Sequence, residues 1–256
     1  LARAASTSVA GARPGMGQPR AILRRTVSKL DAMAVSGEEE VMNRDADTLW
    51  RIAGCLARDA AKVSRVQGRV RPNLPSLLFF TDPERTPEPW TVAERLPAGS
   101  GVVYRHFGAP PAGATALGLG EATARRDGLL LIGLDEALAR DVGADGLHLP
   151  ERAISEAAGI ADRHPNWRLT AAFHARTPAP ALTGLDALIV SPIFPAGGAS
   201  LSSPPLGVAR LTALTREVEL PIYALGGIDA KNAPELEGSG AYGIAGVGSI
   251  RAAFGA

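Results

Sequence analysis

The chain has 256 residues, a length that admits one large domain or two small ones. Its 46% hydrophobic and 21% charged residues describe an ordinary globular protein with a proper core, and a net charge of +1 argues against a broad nucleic-acid footprint. A lone cysteine, Cys55, excludes an intramolecular disulfide, and no apolar run approaches the roughly 20 residues that span a bilayer, so the expectation is a soluble cytoplasmic protein.

Residues 1–41 are rich in Ala, Arg, Gly and Ser, and their only acids before Glu38 reduce to Asp31. An Arg-rich, acid-poor start of this kind reads either as an organellar transit peptide or as a disordered leader, with translation beginning at Met42. The expectation is the disordered leader, with the transit peptide as the alternative. Residues 42–75 follow as a helical extension. Within it, DTLWRIAGCLARDAAKVSRVQGR (47–69) sets Leu49, Ile52, Ala53, Leu56 and Ala60 along one face of an amphipathic helix, expected to pack outside the domain or on a partner chain.

From Ser76 a regular alternation begins and runs through residues 76–256. Short apolar runs occur at 76–82, 101–107, 128–134, 146–150, 168–174, 187–194, 221–228 and 243–249. Helix-like stretches lie between them, clearest at DEALARDVG, RAISEAAGIADRH and GVARLTALTREV. Strands that are apolar throughout, rather than alternating, are buried on both faces, as in parallel sheets. Eight such βα units in about 180 residues predict a single (β/α)8 TIM barrel with an N-terminal helical extension, and an open doubly wound sheet is the alternative.

A barrel carries its chemistry at the C-terminal strand ends. The first strand ends in Thr81 and Asp82, the second in Tyr104, Arg105 and His106, the fourth in His148 and the fifth in His174; Ser191 begins the exit of the sixth. The seventh and eighth end in the glycine clusters Gly226-Gly227 and Gly246-Val247-Gly248-Ser249, with 249–254 as a short helix. Glycine lets backbone N–H groups approach a ligand, and loops after the last two strands of a barrel are the usual phosphate site. Gly226, Gly227, Gly248 and Ser249 are therefore the candidate phosphate-binding residues, against the alternative that the glycines only permit tight turns. His174 can face the mouth and move protons near neutral pH. His148 is as well explained as a packed core histidine, and His164 as a surface residue. Asp82 and Asp135 are the only carboxylates placed for Mg2+, and Asp135 is equally a helix cap, so no metal site is predicted.

Taken together, ADGLHLPE, FHA, LIVSPIFPAGG with PPLG, PIYALGGIDAKNAPE and GAYGIAGVGSI resemble the thiamine phosphate synthase/TenI family, in order from Leu77 to Phe254. The resemblance implies a (β/α)8 barrel. It implies either coupling of a pyrimidine diphosphate to a thiazole phosphate with Mg2+, or the TenI-type tautomerisation of a thiazole carboxylate phosphate. The chain departs from the synthase pattern where the diphosphate would bind. In the second-strand motif only Arg105 is kept; Leu134 and Ala153 replace the two metal carboxylates; Ala196, Gly198 and Ala199 replace two threonines and a lysine.

Leu134 and Ala153 cannot bind a hard cation, and a diphosphate leaving group without metal or lysine loses its main electrostatic stabilisation. Ser200, Ser202 and Ser203 offer only neutral hydrogen bonds, leaving the sixth loop the role of a lid. What the resemblance leaves intact is the phosphate side, with His174 as the proton-transfer residue and Arg105 and Ser191 as further substrate contacts. The expectation is a TenI-like tautomerase that needs no cofactor and no Mg2+, with a small-molecule phosphate as its partner and a possible homo-oligomer as its state. A divergent synthase and a non-catalytic binding or regulatory barrel are the alternatives.

Overall fold

The computed structural model describes residues 44–66, 73–110, 112–175, 181–197 and 203–255. The leader assigned to 1–41 lies outside them, as do Gly198, Ala199, Ser200 and Ser202 of the sixth loop. Eight strands run β1 (Leu77–Phe80), β2 (Gly101–Tyr104), β3 (Leu129–Gly133), β4 (Gly146–Leu149), β5 (Arg168–Phe173), β6 (Ala187–Val190), β7 (Ile222–Leu225) and β8 (Gly243–Gly246). They close in sequence order into a parallel barrel, β8 returning to β1 with Phe79 opposite Gly246. Closure excludes the open sheet. Each strand is shorter than the apolar run that predicts it, the residues at the ends of the runs lying outside the regular sheet ladder.

The unbroken apolar runs divide between two compartments. Leu78, Phe80, Val103, Leu131, Ile189, Tyr223 and Ala245 form one buried cluster, the barrel interior. Their neighbours Leu77, Phe79, Val102, Leu130 and Leu188 form a larger cluster with the apolar faces of the surrounding helices. Successive strand residues point to opposite faces, so a strand covered on both sides must be apolar at every position.

Seven helices surround the strands among the described residues: α1 (Arg44–Val66), α2 (Pro89–Ala93), α3 (Ala112–Arg125), α4 (Glu136–Asp141), α5 (Ala157–Arg163), α6 (Gly207–Glu217) and α7 (Gly248–Phe254). A 3-10 turn, Glu151–Glu156, precedes α5, and another, Ala233–Leu236, links β7 to β8. The amphipathic reading of α1 agrees with its burial: Ala46, Leu49, Ile52, Ala53 and Leu56 join the outer core and Ala60 the interior cluster. The helix lies on β1, β8, α7 and the Ala233–Leu236 turn. It is thus part of the barrel's own shell. At the end opposite the mouth, Tyr223 donates to the Pro75 carbonyl at 2.5 Å and Tyr242 to the Leu74 carbonyl at 2.6 Å, tying the connection from α1 to the interior.

Candidate functional site

Arg105 lies on the walls of three cavities at the C-terminal strand ends, the two larger of which concern the candidate residues. The first, about 390 Å3, is bounded by Gly226 and Gly227 after β7, Gly248 and Ser249 after β8, Arg85 after β1 and Asp229. The structure therefore brings the four predicted phosphate residues together. Their glycines have different duties. Gly226 and Gly227 have φ of +96° and +69°, and a Cβ at Gly227 would strike the Pro195 carbonyl oxygen. Those two are required by the turn itself. A Cβ at Gly248 would meet nothing within 4 Å, so that position faces open space at the head of α7, where first-turn N–H groups lack intrahelical partners. Asn232 braces the cradle from behind, its Nδ2 donating to the Gly227 carbonyl at 2.8 Å.

The cations of this cavity come from β1 and β2. Thr81 fixes Arg105 twice: its hydroxyl accepts the Arg105 backbone N–H at 2.9 Å and its carbonyl accepts Nε at 3.0 Å. The guanidinium lies 5.3 Å from the ring centroids of both Phe80 and Phe107. Burial lowers its pKa to about 10, against the opposing pull of Asp82. Its Nη2 is buried and has no hydrogen-bond partner among the described residues. Arg85, which sequence reasoning missed, pairs with Asp82 at 3.2 Å. Burial would raise the Asp82 carboxyl, but the Arg85 N–H and guanidinium hold it below the usual carboxylate range. The available signal for Arg85 was its position three residues beyond the carboxylate that ends the first predicted strand.

The second cavity, about 550 Å3, lies over β2 to β5 and is lined by Phe107, Leu134, His148, Pro150 and Ala172 with Arg105, His106, Asp135 and Arg152. Phe107 and Leu134 are exposed and take left-handed φ values of +49° and +54°. Non-glycine residues held there cost on the order of 1–3 kcal/mol each and cluster at functional sites.

Two positions where the family resemblance expects Mg2+ carboxylates are apolar in this chain. Leu134 and the buried Ala153 offer no ligand atom. Asp135 follows the left-handed Leu134 onto the wall of the cavity, and each of its oxygens has a protein neighbour. Oδ1 accepts the Leu138 N–H at 2.8 Å and caps α4, while Oδ2 faces His106 Nε2 at 3.4 Å. His106 accepts the Gly108 N–H at Nδ1, which leaves its proton on Nε2, toward Asp135. Glu136 is held by hydrogen bonds from Arg163 and His164, which bring its carboxyl down to about 2. No group of three or more His, Cys, Asp or Glu suited to a metal ion occurs among the described residues.

The remaining candidates separate. His148 is buried, with Thr170 at 3.0 Å and the Phe80 ring edge-on, and it reaches the wall of the second cavity from the barrel interior. His164 stacks on Trp167 at 3.7 Å, outside the mouth. Ser191 is buried at the exit of β6, where its N–H donates to the Phe173 carbonyl, and it lines neither cavity. His174 follows β5 with a half-exposed side chain, off the described walls of both cavities, and its Nδ1 lies 2.5 Å from Glu151 Oε2. Glu151 was also missed, although it directly follows the GLHLP strand.

The sixth loop is pinned at its neck, where the Leu206 and Gly207 N–H groups donate to the carbonyls of Pro192 and Ile193, each at 2.9 Å. Its described stem, Pro195 to Gly197, forms one wall of the glycine-lined cavity.

Among known proteins, the profile of the family described as thiamine monophosphate synthase matches residues 78–250. A protein of Geobacter sulfurreducens named "Putative thiamine-phosphate synthase" is 34% identical over 119 residues, 46% of this chain and 55% of that protein. The thiamine-phosphate synthase of Listeria monocytogenes serotype 4a is 32% identical over 124 residues, 47% of this chain and 58% of its own length. The matched stretch thus spans little more than half of these relatives. The solved structure of thiamine phosphate pyrophosphorylase from Pyrococcus furiosus superposes with a TM-score of 0.59 at 25% identity, covering 72% of this chain and 93% of that one. No helix among the described residues is long and apolar enough to cross a membrane.

Proposed function

Since this chain belongs to the thiamine monophosphate synthase family, we propose that it binds a thiazole phosphate and tautomerises it by proton transfer through His174. One contrast carries the reading. The four candidate phosphate residues share the first cavity with Arg85 and Arg105, whereas Leu134 on the wall of the second cavity and the buried Ala153 stand where a Mg2+-diphosphate would need carboxylates. A phosphate monoester has its cations and N–H donors; a leaving diphosphate has neither metal ligands nor lysine.

The phosphate anchors in the cradle after β7 and β8, and the ring extends across Arg105. Tautomerisation breaks one C–H bond, parks the proton on an imidazole nitrogen and returns it to a second carbon, so it needs a base that is accessible and can be restored. His174 is half-exposed, whereas His148 is buried and hydrogen-bonded inside the barrel. The test is incubation with the two tautomers of the carboxylated thiazole phosphate, with and without EDTA. Interconversion is expected to persist in EDTA and to vanish in His174→Ala; absence of conversion above background overturns the reading.

A second reading, a barrel that binds the phosphate without turnover, is favoured by one observation: His174 lies off the described walls of both cavities. It predicts saturable calorimetric binding with no interconversion. Metal-dependent release of pyrophosphate would instead return the chain to the synthases.

A further inference from the structure

We propose that Glu151 is the positioning residue for His174, holding its imidazole in the Nδ1–H tautomer so that Nε2 keeps its lone pair for a substrate proton. The pair is built by the barrel's register. Leu149 at the end of β4 stands opposite Ala171 of β5, so the chain two residues beyond Leu149 leaves the sheet beside the chain three residues beyond Ala171. Pro150, with φ of −67°, continues the strand direction and delivers Glu151 as the first residue of the 3-10 turn. Ala175, at φ +54°, then turns the chain sharply after His174.

The result is a Nδ1 to Oε2 distance of 2.5 Å between two partly exposed side chains. A carboxylate oxygen only accepts, so the imidazole must place its proton on Nδ1. Nε2 has no partner among the described residues. Which imidazole nitrogen carries the proton is set by the hydrogen bond the other one makes, and here that bond selects the tautomer a base requires.

His106 shows the opposite arrangement within the same mouth, with a backbone N–H donated to its Nδ1 and its proton therefore on Nε2. Unlike His106, His174 holds its Nδ1 against a carboxylate, which places a proton on Nδ1. In the proposed step Nε2 takes the proton from a substrate carbon, the C–H electrons passing into the ring system. The Nδ1–H bond to Glu151 persists throughout, and Nε2 then delivers its proton to the second carbon. No oxidant, reductant or metal enters.

The kinetic half of this inference rests on the tautomerase reading; the tautomer half stands without it. The experiment labels the histidines of the full chain with 15N, assigns His174 by its loss in His174→Ala, and reads its tautomer from long-range 1H–15N correlations at neutral pH. Wild type is expected to show Nδ1–H. Glu151→Ala is expected to move His174 to Nε2–H, and Glu151→Gln, whose carbonyl still accepts, to retain part of the Nδ1–H form.

With the thiazole substrate, Glu151→Ala should lower kcat about 100-fold with KM changed by no more than about 3-fold, and Glu151→Gln should recover part of that loss. Should Glu151→Ala not fold, Glu151→Asp replaces it, because its shorter side chain withdraws the carboxylate. An Nε2–H tautomer in the wild type, or one that does not respond to Glu151→Ala or Glu151→Asp, overturns the proposal. A tautomer that responds as expected in a protein without turnover upholds Glu151 and rejects the proton-shuttle function instead.

Discussion

His148 and Thr170 face each other across β4 and β5, their Cα atoms paired in the sheet and His148 Nδ1 lying 3.0 Å from the Thr170 hydroxyl. Burial, with a smaller contribution from the nearby Arg105 cation, pushes the imidazole pKa down to about 3. The unfolded chain protonates the same group near 6.5. Between those values the unfolded state binds the proton that the folded state refuses, so stability falls as pH drops through 6.5 and is unaffected above it. At pH 5 the deficit is 1.5 pH units at 1.36 kcal/mol each, or about 2 kcal/mol. Denaturant unfolding at pH 7 and pH 5 should show this loss in the wild type and a much smaller one in His148→Gln. The slope with pH is the readout, since the substitution also changes packing at both pH values. Equal slopes in the two proteins would show that His148 does not set acid sensitivity.

Arg105 carries a buried Nη2 with no partner among the described residues, an arrangement that costs about 1–3 kcal/mol in the absence of a ligand. Arg105→Met keeps length and apolar packing between Phe80 and Phe107 and removes the charge. The variant is expected to match or exceed the wild-type Tm while binding a thiazole phosphate about 10- to 100-fold more weakly, as read by calorimetry. Burial lowers its pKa to about 10, still far above neutrality, so the guanidinium keeps its charge and the affinity should not change with pH between about 6 and 8 through any titration of Arg105. Full affinity in Arg105→Met would remove Arg105 from the site.

The glycines of the phosphate cradle give opposite outcomes under substitution. At Gly248 an added side chain meets open space, so Gly248→Asp should fold with a Tm within a few degrees of wild type. Its carboxylate would sit where the phosphate is expected, and binding should fall below detection in calorimetry. Gly227→Ala combines a φ of +69° with a collision at the Pro195 carbonyl and should lose several degrees of Tm, at least about 1–2 kcal/mol. If Gly248→Asp binds normally, the cradle after β8 is not the phosphate site.

The order of strands and the placement of the glycine clusters were legible in the sequence because both follow from local rules. Runs such as LLFF and ALIV are apolar at every residue only if both faces are covered, and a glycine pair closing such a run marks a left-handed turn. What escaped was produced by register and by loop conformation. Glu151 meets His174 because β4 and β5 place their ends side by side, a pairing across 23 positions that no local pattern encodes. Phe107 and Leu134 take left-handed conformations that their residue types disfavour, which is why the wall of the larger cavity was not anticipated. Arg105 was picked from its place at a strand end, but its clamp by Thr81 depends on β1 and β2 lying together. Ser191 was drawn from the same positional rule and proved buried, since the β6 chain keeps its pairing past Val190, with the Ile193 N–H donating to the Leu225 carbonyl.

The helix α1 precedes the first strand by ten residues, yet it should be indispensable to the barrel. It buries Leu49, Ile52 and Leu56 almost completely against the outer face of the barrel, with Ala46 and Ala53 beside them. Three fully buried aliphatic side chains at about 1.5–3 kcal/mol each amount to several kcal/mol. That is comparable to the whole net stability of an ordinary domain, about 5–15 kcal/mol. Removing the helix would also bare the apolar faces of β8, β1 and α7 that it covers, and exposed patches of that kind promote aggregation. A chain beginning at Met42 retains every one of these contacts and should melt cooperatively at the Tm of the full chain. A chain beginning at Leu74 should show no cooperative thermal transition by circular dichroism and should aggregate on purification. A cooperative melt from the shorter chain, within a few degrees of the longer one, would show that the barrel is complete without its first helix.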